Sequence, residues 1–133
     1  MHSEAKIYDE MFSSGGYESV YDLPYHHQCY YPLFKAVLSE LKKINKNSVL
    51  EVGCGTGSFG QIVRAKTDFE YRGFDFSDIA VKKAKHRSDK PSDYFVGNAV
   101  QHDTYVFADF FYDCIVCTEV LEHIEEDITV IKN

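Results

Sequence analysis

Apolar positions along the chain alternate between two periods. From Pro32, a residue favoured in the first turn of a helix, Leu33, Phe34, Val37, Leu38, Leu41 and Ile44 recur at helical spacing, with Lys35, Glu40, Lys42 and Lys43 opposite. This predicts a one-sided helix ending near residues 45–47. "SVLEV" then reads as a strand, the glycine turn follows, and "SFGQIVRAK" reads as a helix. "FEYRGFDF" is a second strand, closed by Ser77 as the N-cap of a helix over "DIAVKKAKHR". "DYFVG" is expected to be a third strand and "DCIVCTE" a fourth. "VLEHIEEDITVIKN" is expected to be one helix with Val120, Ile124, Ile128 and Ile131 on a single stripe. Strands alternating with helices point to a mostly parallel sheet covered on both faces, a doubly wound α/β fold.

Residues 1–29 break this rhythm. They are polar and aromatic without clean periodicity, hold three of the six histidines, and read as an irregular arm or lid. At 133 residues and 44% hydrophobic content the chain supports one core, so a single domain over residues 30–133 is expected behind that arm. Net charge is −7, and beyond "VKKAKHR" no basic cluster offers a footprint for a phosphate backbone, so no nucleic-acid partner is expected. No apolar run approaches the roughly 20 residues of a membrane span, and "MHSEAKIYDE" lacks the hydrophobic region of a signal peptide, so no membrane partner and a cytoplasmic location are expected. Cysteines 29, 54, 114 and 117 fit reduced thiols better than a disulfide framework.

The candidate chemistry starts at "VLEVGCGTGSFG". In doubly wound folds ligands bind beyond the carboxyl ends of the strands, where the first strand-to-helix turn lets backbone approach a cofactor. Gly53, Gly55 and Gly57 occupy that turn, and the following helix offers N–H groups to an anionic group. Glu51 is a carboxylate on a strand buried on both faces, which is costly unless it has a partner. Asp75 places a second acid at the end of the second strand, about 20 residues past the turn, where a carboxylate accepts hydrogen bonds from ribose hydroxyls. Gly55-Thr-Gly57-Ser-Phe-Gly60 also fits the G-x-G-x-x-G dinucleotide pattern, so an NAD-binding domain competes with other nucleoside-cofactor readings.

Taken whole, "VLEVGCGTG" resembles the first motif of class I S-adenosylmethionine-dependent methyltransferases. "YRGFDFS" is similar to that family's second-strand acidic motif, "VGNAVQHD" to its adenine-contacting segment, and "YDCIVCTEVLEHI" to its fourth strand and following loop, over roughly residues 30–133. The resemblance implies a Rossmann-like domain binding S-adenosylmethionine, with S-adenosylhomocysteine as product. By position, Gly53, Cys54, Gly55, Thr56 and Gly57 would line the methionine part, and Glu51 would orient the amino group or the turn. Asp75 would hold the ribose diol, with Phe76 against adenine and Ser77 beside it. Asn98 and Ala99 would meet the adenine edge, Asn98 standing where the family often has Asp. Thr118, Glu119 and Leu121 would form the wall beneath the sulfonium.

Methyl transfer is an in-line displacement on an activated carbon, so alignment supplies much of the acceleration and a general base is added when the acceptor is protonated. The candidates for such a base are His123 and Glu119 after the fourth strand, then Tyr21, His26 and His27 in the arm. Glu119-Val-Leu-Glu122-His123 also resembles the E-x-x-E-H metal motif of methyltransferases acting on the 2′-oxygen of small RNAs, but the same letters are common in metal-free members, and no metal is expected. Cys114 and Cys117, at i and i+3 on a strand, point to opposite faces and do not make a zinc or redox pair.

The family's sheet usually has seven strands, of which only the first four are recognisable here, so the sheet is expected to be incomplete and the chain truncated relative to the family. The apolar fourth strand would then be an edge, expected to be covered by a second copy in a homodimer or by a partner chain. The resemblance implies a methyltransferase acting on a small-molecule acceptor. The alternatives are a non-catalytic S-adenosylmethionine-binding module or half of a split enzyme.

Overall fold

A computed structural model describes residues 2–13, 23–45, 47–107 and 112–133. Helix α1 (His2–Ser13) and a short 3-10 turn (Tyr25–His27) lead into α2 (Tyr31–Lys43). The repeating unit follows: β1 (Ser48–Val52), α3 (Ser58–Lys66), β2 (Glu70–Asp75), α4 (Asp78–His86) and β3 (Tyr94–Val96). After α5 (His102–Phe107) come β4 (Cys114–Cys117), a 3-10 turn (Leu121–His123) and α6 (Asp127–Lys132). The described strands form one all-parallel sheet of order β3-β2-β1-β4. Val49 pairs in register with Tyr71 on one side and Cys114 on the other, so β1 is central and every residue of it is buried.

The pleat sorts the strand residues into two cores. Val49, Tyr71, Tyr94 and Val116 meet Leu38 and Leu41 of α2, Phe59, Ile62 and Val63 of α3, and Val81 and Ala84 of α4. Leu50, Val52, Phe74 and Phe95 pack with Ala99 and Val130 on the opposite face. Cys114 joins the first cluster and Cys117 the second, the opposite facing that their three-residue spacing dictates. Both thiols are free.

Three segments depart from the sequence reading. Residues 2–13 of the arm form a regular α-helix; Ala5, Tyr8, Met11 and Phe12 stand at helical spacing within it, and it docks onto α4. Residues 102–107 add a helix that no periodicity announces, set by Tyr105 packing edge-on to Phe74 at 5.6 Å and donating its hydroxyl to the Ala99 carbonyl. The helix expected from Val120 onward does not form as one piece. Glu119 has φ 56°, Val120 with φ −128° and ψ −52° is not helical, and the α-helix begins only at Asp127, so Ile128 and Ile131 face outward while Val130 is buried. Glu125 and Glu126 precede that helix and Asp127 begins it, where its dipole favours negative charge.

Candidate functional site

The turn after β1 is built from left-handed glycines. Gly53, Gly55 and Gly57 have φ values of 74°, 52° and 83°. At Gly53 the conformation and the packing both require glycine, since a Cβ would lie 2.2 Å from Val120 Cγ2. The N–H groups of Gly53 and Cys54 both donate to the Phe74 carbonyl at 2.9 Å, anchoring the turn to the end of β2. Asp75 completes the anchor: Oδ2 accepts from Gly55 N–H and Oδ1 from Ser77 N–H, each at 2.9 Å. Burial pushes the Asp75 carboxyl up, and these backbone donors oppose the rise.

The partner that a buried Glu51 demands is Tyr71. Its hydroxyl donates to Glu51 Oε2 from the adjacent strand. The route is opened by Gly73, the residue paired with Glu51, where a Cβ would lie 2.5 Å from the Tyr71 hydroxyl. One neutral donor does not offset the lost hydration, so burial first, and the Asp75 charge further, push the Glu51 carboxyl up to about 8 while the Tyr71 bond pulls it down. At pH 7 Glu51 is therefore mostly protonated in the free protein.

Beyond these strand ends lies a cavity of about 460 Å³, within the size range of small-molecule and cofactor sites. Its floor is Glu51, Gly53, Cys54, Gly55 and Asp75; one wall is Phe76, Asn98 and Ala99; the other is Thr118, Glu119 and His123. Thr56 lines it too and is held from behind by the Arg87 guanidinium, which donates to the Thr56 hydroxyl at 2.9 Å. Asn98 Oδ1 accepts from Val100 N–H at 3.1 Å, shaping the loop that carries Ala99. Gly57, Ser77 and Leu121 stand off the cavity wall. Gly57 is the N-cap of α3, Ser77 is fully buried as the side-chain cap of α4, and Leu121 packs under the second core cluster. His26 and His27 are exposed on their 3-10 turn and do not reach the cavity, and Tyr21 lies outside the described residues.

The sequence reading gave residues 1–29 as an arm or lid but named none of the residues that roof the cavity. Tyr8, Met11 and Phe12 of α1, with Tyr30 and Phe34 around the start of α2, close the cavity from above. Asp9 docks α1: its Oδ1 accepts from the Ser77 hydroxyl at 2.5 Å and from Ile79 N–H at 3.4 Å, while Lys83 Nζ donates to the Phe12 carbonyl at 2.9 Å. The Tyr8 ring meets Phe76 edge-on at 4.9 Å and stands 6.4 Å from the His123 ring. Ser58, also missed, lines the cavity from the first turn of α3. Among the described residues no three His, Cys, Asp or Glu side chains converge as a metal site, and His123 Nε2 lies 3.9 Å from Glu122 Oε1.

A family model described as a methyltransferase domain matches residues 25–133. The chain belongs to that methyltransferase-domain family. Solved structures agree on the fold of this methyltransferase domain. The methyltransferase domain of bacterial CtHen1-CN superposes with a TM-score of 0.62 at 24% identity, over 74% of this chain and 55% of that one. A putative methyltransferase in complex with the Haloferax volcanii Trm112 activator gives 0.63 at 17% identity, over 93% and 52%. Magnesium protoporphyrin IX methyltransferase from Synechocystis PCC 6803, solved with bound S-adenosylmethionine, gives 0.63 at 19%, over 96% and 68%. The chain thus spans about half the length of the first two structures. No curated protein matches it. No helix among the described residues is long and apolar enough to cross a membrane.

Proposed function

We propose that this chain binds S-adenosylmethionine in the cavity at the carboxyl ends of β1 and β2 and forms the cofactor-holding part of an enzyme that methylates a small molecule. The observation that carries the reading is a three-glycine left-handed turn at the floor of a 460 Å³ cavity, bonded by Asp75 and preceded by the buried Glu51. The residues present fit the group. No atom within 4 Å would meet a Cβ at Gly55, so backbone there faces open space, and the buried Ser58 hydroxyl has no protein partner.

The glycine turn, Thr56 and Glu51 would hold the amino-acid end, Asp75 the ribose, and Phe76, Asn98 and Ala99 the base. When bound, the cofactor supplies a methyl group on a positively charged sulfur, activated for in-line displacement. The chain's own part is alignment and exclusion of water. Thr118, Glu119 and His123 line one wall; Thr118 and Glu119 would face the reacting end, and His123 would take a proton from an acceptor. Helix α1, latched by Asp9, acts as the lid. The edge of β4, where Ile115 is 61% exposed, supports covering by a further strand from a second copy or a partner chain.

A second reading is a binding module without turnover or half of a split enzyme. Calorimetry separates the readings. S-adenosylmethionine and S-adenosylhomocysteine are expected to bind and NAD is not; NAD binding without the other two would overturn the proposal. Methyl transfer by the isolated chain would decide against the module.

A further inference from the structure

Glu51 is 3% exposed and lines the cavity floor. Its Oε2 accepts from the Tyr71 hydroxyl, while its Oε1 accepts from none of the described residues. A buried carboxyl oxygen on a cavity wall with no donor of its own is placed for a donor that arrives with the ligand. The groups around it bring no compensating charge. Tyr71 and Asp75 face it from β2, Tyr94 from β3, Cys54 from the turn and Cys117 from β4, with Asp9 of α1 behind Asp75. All are neutral or acidic. Arg64 of α3 is turned to Asp93, and Arg87 holds Thr56 from behind the turn. The free protein therefore favours the protonated carboxyl, pushed up to about 8 by burial. Asp75, the other floor acid, already spends one oxygen on Gly55 N–H and one on Ser77 N–H. An ammonium has donors only, so at this floor it meets Glu51 as its acceptor.

We infer that Glu51 selects ligands by their ammonium group and gives up its own proton to do so: an amine-bearing nucleoside binds with release of one proton, and a nucleoside without the amine binds with none. This deepens, and rests on, the cofactor reading given above. In the step the carboxyl O–H bond breaks, the proton leaves to solvent, and the carboxylate accepts from an ammonium that keeps its three N–H bonds. The Tyr71 hydroxyl remains the donor to Oε2 and now serves a charge, where its bond is stronger. The sign of the pH dependence follows from the two forms. The ligand takes the ionised form, while the free protein holds the protonated form below about pH 8, so affinity rises with pH up to that point and levels off above it.

Calorimetry of the full chain with S-adenosylhomocysteine, in two buffers of different ionisation enthalpy, counts the protons. Release of about one proton per ligand is expected at pH 6.5, with affinity rising about five- to tenfold from pH 5.5 to 6.5, a range over which the ligand's ammonium stays charged. Methylthioadenosine, the same nucleoside thioether without the amino-acid chain, should release none and bind equally at both pH values. Any contribution from the His123 imidazole on the far wall is removed in His123→Gln, which should leave the count unchanged. Glu51→Gln keeps an acceptor for Tyr71 and has no proton to release; its affinity for S-adenosylhomocysteine should fall about tenfold at pH 7.5 and lose its pH dependence, with methylthioadenosine changed less than about twofold. In the parent protein, carbon-13 spectra at pH 6.5 should show the Glu51 carboxyl protonated alone and ionised in the complex. Binding of S-adenosylhomocysteine with no proton released and a flat affinity, or equal release with methylthioadenosine, would overturn the inference and leave the cofactor reading standing. Failure of S-adenosylhomocysteine to bind at all would remove the cofactor reading and the inference with it.

Discussion

Replacing Glu51 by glutamine isolates the electrostatic cost of the most buried acid in the cavity floor. Glu51 is 3% exposed, and its carboxyl is pushed from 4.5 to about 8 in the fold. The unfolded chain therefore releases this proton near pH 4.5, while the folded protein keeps it until about pH 8. The folded state binds more protons across that window, so Glu51's contribution to stability is greatest below pH 4.5 and is lost as pH rises toward 8. At about 1.4 kcal/mol per pH unit, the fall from pH 5.5 to 7.5 is roughly 2–3 kcal/mol. The glutamine side chain keeps an oxygen to accept the Tyr71 hydroxyl and carries no titrating proton, so the Glu51→Gln variant lacks this slope. Urea unfolding of both proteins at pH 5.5, 6.5 and 7.5, without ligand, gives the difference directly, because every other titrating group cancels to first order. The variant should gain on the parent as pH rises. Parallel stability profiles over the window would refute the placement of a protonated Glu51 in the fold.

Other substitutions probe the remaining parts of the site. Tyr71→Phe removes the one side-chain donor that lowers the Glu51 carboxyl, so a carbon-13 titration of that carboxyl should move upward, with a loss of about 1–2 kcal/mol in denaturant unfolding. Gly53→Ala must place a methyl 2.2 Å from Val120 at φ 74°; strain and overpacking together should cost about 3 kcal/mol, read as a lower urea midpoint at unchanged m-value. Asp9→Ala unlatches α1 from Ser77 and Ile79, and amide exchange over residues 5–13 should quicken about tenfold while exchange in β1 and β2 stays unchanged.

Much of this site is legible in sequence because its parts are local. "SVLEV" and "SFGQIVRAK" match β1 and α3 residue for residue, since a buried run, a glycine turn and a periodic helix each carry their own signal. Ser77 as N-cap is equally local, its hydroxyl accepting from Ala80 N–H at 3.1 Å. Glu51 demanded a partner, but nothing in "EYRGFDF" singles out Tyr71, because the bond depends on the register of β1 against β2 and on the space above Gly73. The arm was readable as a lid, and Ala5, Tyr8, Met11 and Phe12 stand at helical spacing, but where it docks was not legible, because Asp9 and Ser77 are 68 residues apart. The expected single helix after β4 failed because the left-handed Glu119 and the non-helical Val120 turn the chain, which an apolar stripe cannot report.

The strand order has a consequence for how the molecule assembles. The contacts that close the floor are short in sequence: Glu51 to Tyr71 and Gly55 to Asp75 each span 20 residues. The wall bearing Thr118, Glu119 and His123 is reached only through β4, whose entry is fixed by Ser48 and Asp113, 65 residues apart. Loop-closure entropy makes that longer closure costlier by about 1 kcal/mol, which biases folding toward pairing β1 with β2 before β4 joins. The glycine turn and its Asp75 anchor thus depend only on contacts near in sequence, whereas enclosing a ligand depends on the most distant strand pairing of the sheet.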